Sequence, residues 1–113
     1  MAQVEFKAKI PAKAKRYEIT VGAEKNMLVQ SFTVKESTDD FFIVRLMIGA
    51  QVMIGAHEER IPATLFGEDA IRDVRALPAT VLFRHPVMTA SLLVDNDADT
   101  DREFTAILEG RTE

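Results

Sequence analysis

Four aspartates at alternate positions, Asp95, Asp97, Asp99 and Asp101, form the densest set of ligating oxygens in the chain. A hard cation wants several oxygens at once, and calcium loops space their carboxylates in this way. The match fails in detail. Counted from Asp95, Thr100 stands where the loop needs glycine and Ala106 where it needs glutamate. Counted from Asp97, those places hold Arg102 and Leu108. The segment reads better as an acidic hairpin tip that must face water or a basic partner, with cation binding at 95–101 left open.

His57 and His85 are the only histidines. His57-Glu58-Glu59 begins like a zinc-protease motif but lacks the second histidine four residues on. A two-histidine site would need both loops to converge with a carboxylate such as Glu59, and the spacing gives that no support. The absence of cysteine excludes disulfides and thiolate metal sites. Ser31, Ser37 and Ser91 sit in strand or turn contexts without a nucleophile elbow. The glycines are scattered at 22, 49, 55, 67 and 110, so no phosphate-cradling loop is present. Neighbouring carboxylates, as at Asp39-Asp40 and Glu58-Glu59, point opposite ways in an extended chain. No catalytic residue, metal site or cofactor emerges, and a non-enzymatic protein is expected.

Charge is more informative. The chain of 113 residues carries a net charge of -4, unevenly spread. Residues 1–35 hold seven cations (Lys7, Lys9, Lys13, Lys15, Arg16, Lys25 and Lys35) against three acids. Residues 36–113 hold seven arginines against fifteen acids, and no lysine. Such segregation suits a basic edge that docks onto an acidic surface, including that of another copy. The rival reading is single-stranded nucleic acid held by Lys7, Lys9, Lys13, Lys15 and Arg16, although with one tyrosine and no tryptophan a stacking platform is not visible.

The elements that must carry these residues are mostly strands. Val4, Phe6, Ala8 and Ile10 alternate with Glu5, Lys7 and Lys9, and Pro11 ends the run. Tyr17, Ile19 and Val21 repeat the pattern before a turn at Gly22–Asn26. Met27–Lys35 places Leu28, Phe32 and Val34 on one face, with Gln30 between them. Phe41–Ile48 is apolar on both sides: Phe42, Val44, Leu46 and Ile48 on one, and Phe41, Ile43 and Met47 on the other, interrupted by Arg45. The second side is expected to be a central-strand face or an inter-subunit patch. Met47-Ile48-Gly49-Ala50 recurs as Met53-Ile54-Gly55-Ala56, and reads as two short strands joined at Gly49. Glu68–Ala76 is the one helix expected, with Ala70, Ile71, Val74 and Leu77 on a face and Pro78 as its stop. Strands follow at Thr80–Arg84, Val87–Val94 and Glu103–Glu109, the last with Phe104, Ala106 and Leu108 inward, and 110–113 is expected to fray. The pattern predicts a single mostly β domain over 1–113: an antiparallel β-sandwich or jelly-roll-like barrel of about 7–8 short strands with one short helix at about 68–76.

A strand through Phe83, a break at Pro86, an apolar strand ending in Asp95-Asn96, and then Phe104 followed by Gly110 make up about a third of the chain. This third resembles small jelly-roll-like structural proteins of bacteriophage particles. The resemblance implies a capsid-associated role, as a minor capsid, penton or decoration protein, with the virion as its location. Without it, a cytoplasmic protein is expected, because no segment approaches the ~18 apolar residues of a membrane helix. The expected partner is another copy or a larger protein assembly, with nucleic acid second and no membrane. The candidate interface residues are Lys7, Lys9, Lys13, Lys15 and Arg16 on the basic side. Phe41, Ile43 and Met47 form the apolar patch, and Asp97, Asp99 and Asp101 the acidic turn.

Overall fold

A computed structural model describes residues 2–35, 39–57, 59–67 and 76–112, with only the backbone described at 76–80. Nine strands and one short 3-10 turn follow one another: β1 (Ala2–Ile10), β2 (Tyr17–Gly22), β3 (Met27–Lys35), β4 (Phe41–Ile48), β5 (Gln51–Ile54), β6 (Ile61–Pro62), the turn Ala63–Phe66, β7 (Ala76–Phe83), β8 (Thr89–Asn96) and β9 (Arg102–Thr112).

The strands form two sheets, ordered β1-β9-β3-β7 and β2-β8-β4-β5, with β6 also against β4. Each strand pairing is antiparallel. First pairs with last, second with next to last, and so inward to the β4–β5 hairpin. This nested pairing, split over two facing sheets, is the jelly-roll order. The mostly β sandwich expected from the sequence is the observed fold.

Alternation places the side chains where the pleat is regular. Val4, Phe6 and Ile10 of β1, Ala90, Leu92 and Val94 of β8, and Phe104, Ala106 and Leu108 of β9 are buried between the sheets. Aromatic contacts tie the layers together. Phe41 of one sheet meets Phe104 of the other edge to face, with ring centroids 5.1 Å apart. Phe32 meets Phe66 at 5.4 Å and Phe6 at 6.5 Å. Such geometry adds about 0.5–1.5 kcal/mol per pair beyond area burial.

β3 and β4 both depart from simple alternation in a way that overturns an expected face. In β3 the register shifts between Val29 and Ser31, leaving Gln30 as an extra, exposed residue. Met27, Val29, Phe32 and Val34 are therefore the core residues, and Leu28 is only half-buried. In β4 the shift lies between Ile43 and Arg45, with Val44 as the extra residue. One added residue reverses the phase of everything beyond it. Phe41 and Ile43 are thus core residues, 2% and 0% exposed, on the same side as Leu46 and Ile48. They are not an inter-subunit patch. Met47 alone of that group faces outward, half-buried.

The repeated Met-Ile-Gly-Ala also has a local cause. Gly49 and Gly55 follow β4 and β5 with φ of 60° and 77°, a left-handed conformation that glycine adopts without cost. The expected helix at 68–76 falls on residues outside those described, except Ala76. Ala76 opens β7, and Leu77 and Pro78 continue it. β7 is an edge strand, where a proline's missing donor is tolerated. Gly110, Arg111 and Thr112 do not fray: they belong to β9, with Gly110 opposite both Ala2 and Val29.

Candidate functional site

The segments of opposite charge meet at one end of the sandwich, within a single chain. The connector 11–16 joins β1 to β2, and the acidic turn 97–101 joins β8 to β9. Because β8 pairs with β2 and β9 with β1, the two loops must lie side by side. The backbone locks them first: Lys13 N–H donates to Ala98 O at 3.0 Å, and Asn96 N–H to Ala14 O at 2.9 Å. Asp97 N–H donates to Asp40 O at 2.9 Å, adding the approach to β4.

Asn96 is fully buried and acts as the hub. Its Nδ2 donates to Ile10 O at 3.2 Å, Pro11 O at 3.1 Å and Thr100 O at 3.3 Å, and its Oδ1 accepts from Ala98 N–H at 3.0 Å. Proline ends β1, so its neighbouring carbonyls lose their ladder partners, and the amide takes them up. Asp95, only 4% exposed, accepts from Arg16 N–H and from Arg60 Nε, both at 2.7 Å. Asp101 Oδ1 accepts from Ala12 N–H at 3.0 Å. Lys13 and Arg16 have φ of 58° and 52°, strained for residues with a side chain. The hydrogen bonds at their own N–H groups hold them there.

Ion pairs form the outer layer. Arg60 reaches Asp97 Oδ1 at 2.6 Å while holding Asp95, and its guanidinium lies 4.1 Å from the Phe42 ring centroid. Lys15 reaches the same Asp97 oxygen at 2.8 Å, and Lys13 reaches Asp99 at 3.1 Å. Arg102 approaches Asp40 at 3.7 Å. The hydrogen bond from Arg60, then that from Lys15, hold the Asp97 carboxyl down at about 2. Asp97 in turn raises the Arg60 guanidinium above its ordinary value.

Lys13 and Lys15, expected to meet the acidic turn of another copy, meet the acidic turn of their own chain. Asp97 and Asp99 of their own chain already occupy them, and Asp101 is held on Ala12. Arg60 and Asn96, which do much to build this end, are not among the site residues expected from the sequence, and Asp95 figures there only as a candidate cation ligand. Arg60 lies in an irregular stretch with no periodic signal, whereas the Asp-Asn ending of an apolar strand was a usable one.

The acidic turn does not gather its oxygens around one point. Among the described residues, no three His, Cys, Asp or Glu side chains cluster as a metal site would require. His57 is exposed, and His85 places Nδ1 2.7 Å from Ala23 O. No helix among the described residues is long and apolar enough to cross a membrane.

Lys7 and Lys9 lie elsewhere. They are exposed on β1, which pairs with β9 on one side and forms the edge of its sheet on the other. Gln3, Glu5, Lys7 and Lys9 make the outward row of this edge. Beside it runs an open groove lined by Gln3, Val4 and Glu5 of β1, Val21 and Gly22 of β2, Glu24, and Ile107 of β9. No protein-family model, curated protein or solved structure matches the chain.

Proposed function

We propose that the chain is a non-enzymatic structural protein of a particle, a capsid-associated component that self-associates or docks on a shell protein. Jelly rolls serve capsids, lectins and cupins alike, so the strand order does not choose among them. The observation that carries the reading is the nine-residue edge of β1, which among the described residues has no ladder partner on its outer side. An edge of that length offers a row of backbone donors and acceptors to another strand. Two further features support it. The sandwich interior is filled by Phe6, Phe32, Phe83 and Phe104, each 0–1% exposed. The charged end is neutralised within the chain, which leaves its residues holding loops rather than poised for proton transfer.

Light scattering across a concentration series at low salt tests the reading, together with a search for the chain in purified particles. Concentration-dependent assembly or particle incorporation supports it. A monomer at every concentration, absent from particles, overturns it. Titration with a single-stranded oligonucleotide at two salt concentrations tests the nucleic-acid alternative, for which a salt-sensitive complex is the positive result.

A further inference from the structure

β1 carries its charges in an order that its own copy can read. We infer that two copies of this chain pair along β1 as antiparallel edges about a twofold axis. Phe6 lies opposite the partner's Phe6, Glu5 opposite the partner's Lys7, and the two four-stranded sheets become one. This rests on the assembly reading above and gives it a surface, a symmetry and a register.

Three observations select that arrangement. The first is the edge itself. Among the described residues β1 pairs with β9 alone, and on its other side β2 lies across a groove without forming a ladder with it. The second is length. Phe6 is the midpoint of Ala2–Ile10, so a twofold axis there overlaps the whole strand, with Ala2 opposite the partner's Ile10. Pro11, which has no backbone N–H, ends the pairing at the same place. The third is charge. Glu5, Lys7 and Lys9 are exposed on the outward row. The midpoint register sets Glu5 against the partner's Lys7 twice, once on each side of the axis, and Gln3 against the partner's Lys9.

Neighbouring registers are worse. A slide by two residues puts Glu5 on the partner's Glu5, or puts Lys7 on the partner's Lys7 while Glu5 meets the partner's Lys9, and either slide shortens the overlap from nine residues to seven. A slide by one turns outward side chains against inward ones. Lysines on an edge ordinarily repel a second edge. With Glu5 two residues away they instead favour the register that overlaps the whole strand and sets opposite charges together with no like charges facing. The groove beside Gln3, Val4 and Glu5 fits the same geometry. Glu5 and Glu24 make it acidic, and the partner's Lys9 arrives at its mouth opposite Gln3. Isologous contacts of this kind close as a dimer and do not extend into a fibre.

The test is sedimentation equilibrium on the full chain and on E5K, K7E and the double variant E5K/K7E, with circular dichroism to confirm folding. The expected result is a wild-type dimer. Each single variant weakens it by about tenfold or more, as facing like charges replace facing opposite ones, and the double variant returns to within about threefold of wild type. A wild-type oligomer indifferent to the single changes, or a double variant no better than the singles, overturns the register while leaving the assembly reading standing. A wild type that stays monomeric and is absent from particles overturns both.

A second readout does not depend on charge. The chain has no cysteine, so E5C and K7C each carry a single thiol. Under oxidation, a mixture of the two should yield a disulfide-linked dimer and neither should do so alone. A linked dimer from either variant alone, or none from the mixture, overturns the register.

Discussion

The Arg60 Nε–H donates to Asp95 Oδ2 at 2.7 Å, binding the loop ahead of β6 to the last turn of β8. The other Asp95 oxygen accepts the backbone N–H of Arg16, so a single carboxylate joins three stretches of chain far apart in sequence. Asp95 is nearly buried, whereas the Arg60 side chain is 44% exposed. Removing the acid is therefore the more damaging change, because it strips a hydrogen bond from a strained backbone. Asp95→Ala should cost about 2–3 kcal/mol, and Arg60→Ala about 1–2 kcal/mol, since water can reach the carboxylate that Arg60 leaves behind. Urea denaturation of both variants measures the difference.

Acid should weaken the same end of the molecule. Asp97 is held at about 2 by Arg60 and Lys15, below the ~3.9 of an unfolded aspartate. Its contribution is fully present above the unfolded value and is lost as pH falls through the folded one. The thermal midpoint of the wild type should fall as pH drops from about 4 to about 2. In Asp97→Asn that limb should be shallower, with a lower midpoint at neutral pH. Equal acid limbs in the two proteins would assign the acid sensitivity to other carboxylates.

Asn96 offers a sharper chemical test. Its amide nitrogen faces three carbonyl oxygens at 3.1–3.3 Å. Asn96→Asp keeps the shape and turns a donor into a buried anion aimed at acceptors. The cost should exceed about 3 kcal/mol at neutral pH, more than the ~1–3 kcal/mol of Asn96→Ala. The Asp variant should recover part of the loss as pH falls and its carboxyl protonates. Denaturation midpoints of the three proteins at two pH values decide it.

Phe41 and Met47 separate the two faces of β4. Phe41→Ala empties a site in the core against Phe104 and should cost about 3–5 kcal/mol. Met47→Ala, on the half-buried outer face, should cost under about 1.5 kcal/mol. A small effect at Phe41 would mean that the bulge at Val44 is misplaced.

That bulge also explains how much of the molecule could be read in its sequence. β1 and β2 are legible because apolar and polar residues alternate along them, and β8 and β9 because the alternation still names their inward residues Ala90, Leu92, Val94, Phe104, Ala106 and Leu108, although Leu93 and Ile107 interrupt it. β3 and β4 are recognisable as strands, but not their faces. An apolar residue at Val44 and a polar one at Gln30 both look regular, and nothing local marks them as extra. β7 is obscured because Pro78 resembles a helix stop until its edge position is known. The charge separation of the basic first third is plain in the sequence. Its destination within the chain is not, because the contact follows from strand pairing between residues some 80 positions apart, as in Lys15–Asp97. Arg60, between two irregular stretches, carries no signal of its own.

The place of β9 has a consequence for how the molecule is made. It lies between β1 and β3, at the centre of its sheet, yet it is the last of the described strands to be synthesised. Until residues 102–112 leave the ribosome, β1 lacks its ladder partner and β3 is paired on one side only. Distant pairings of this kind fold slowly and leave strand edges exposed during elongation. A chain stalled before β9 should therefore depend on holding chaperones, and emergence of residues 102–112 should trigger the cooperative closure of the sandwich.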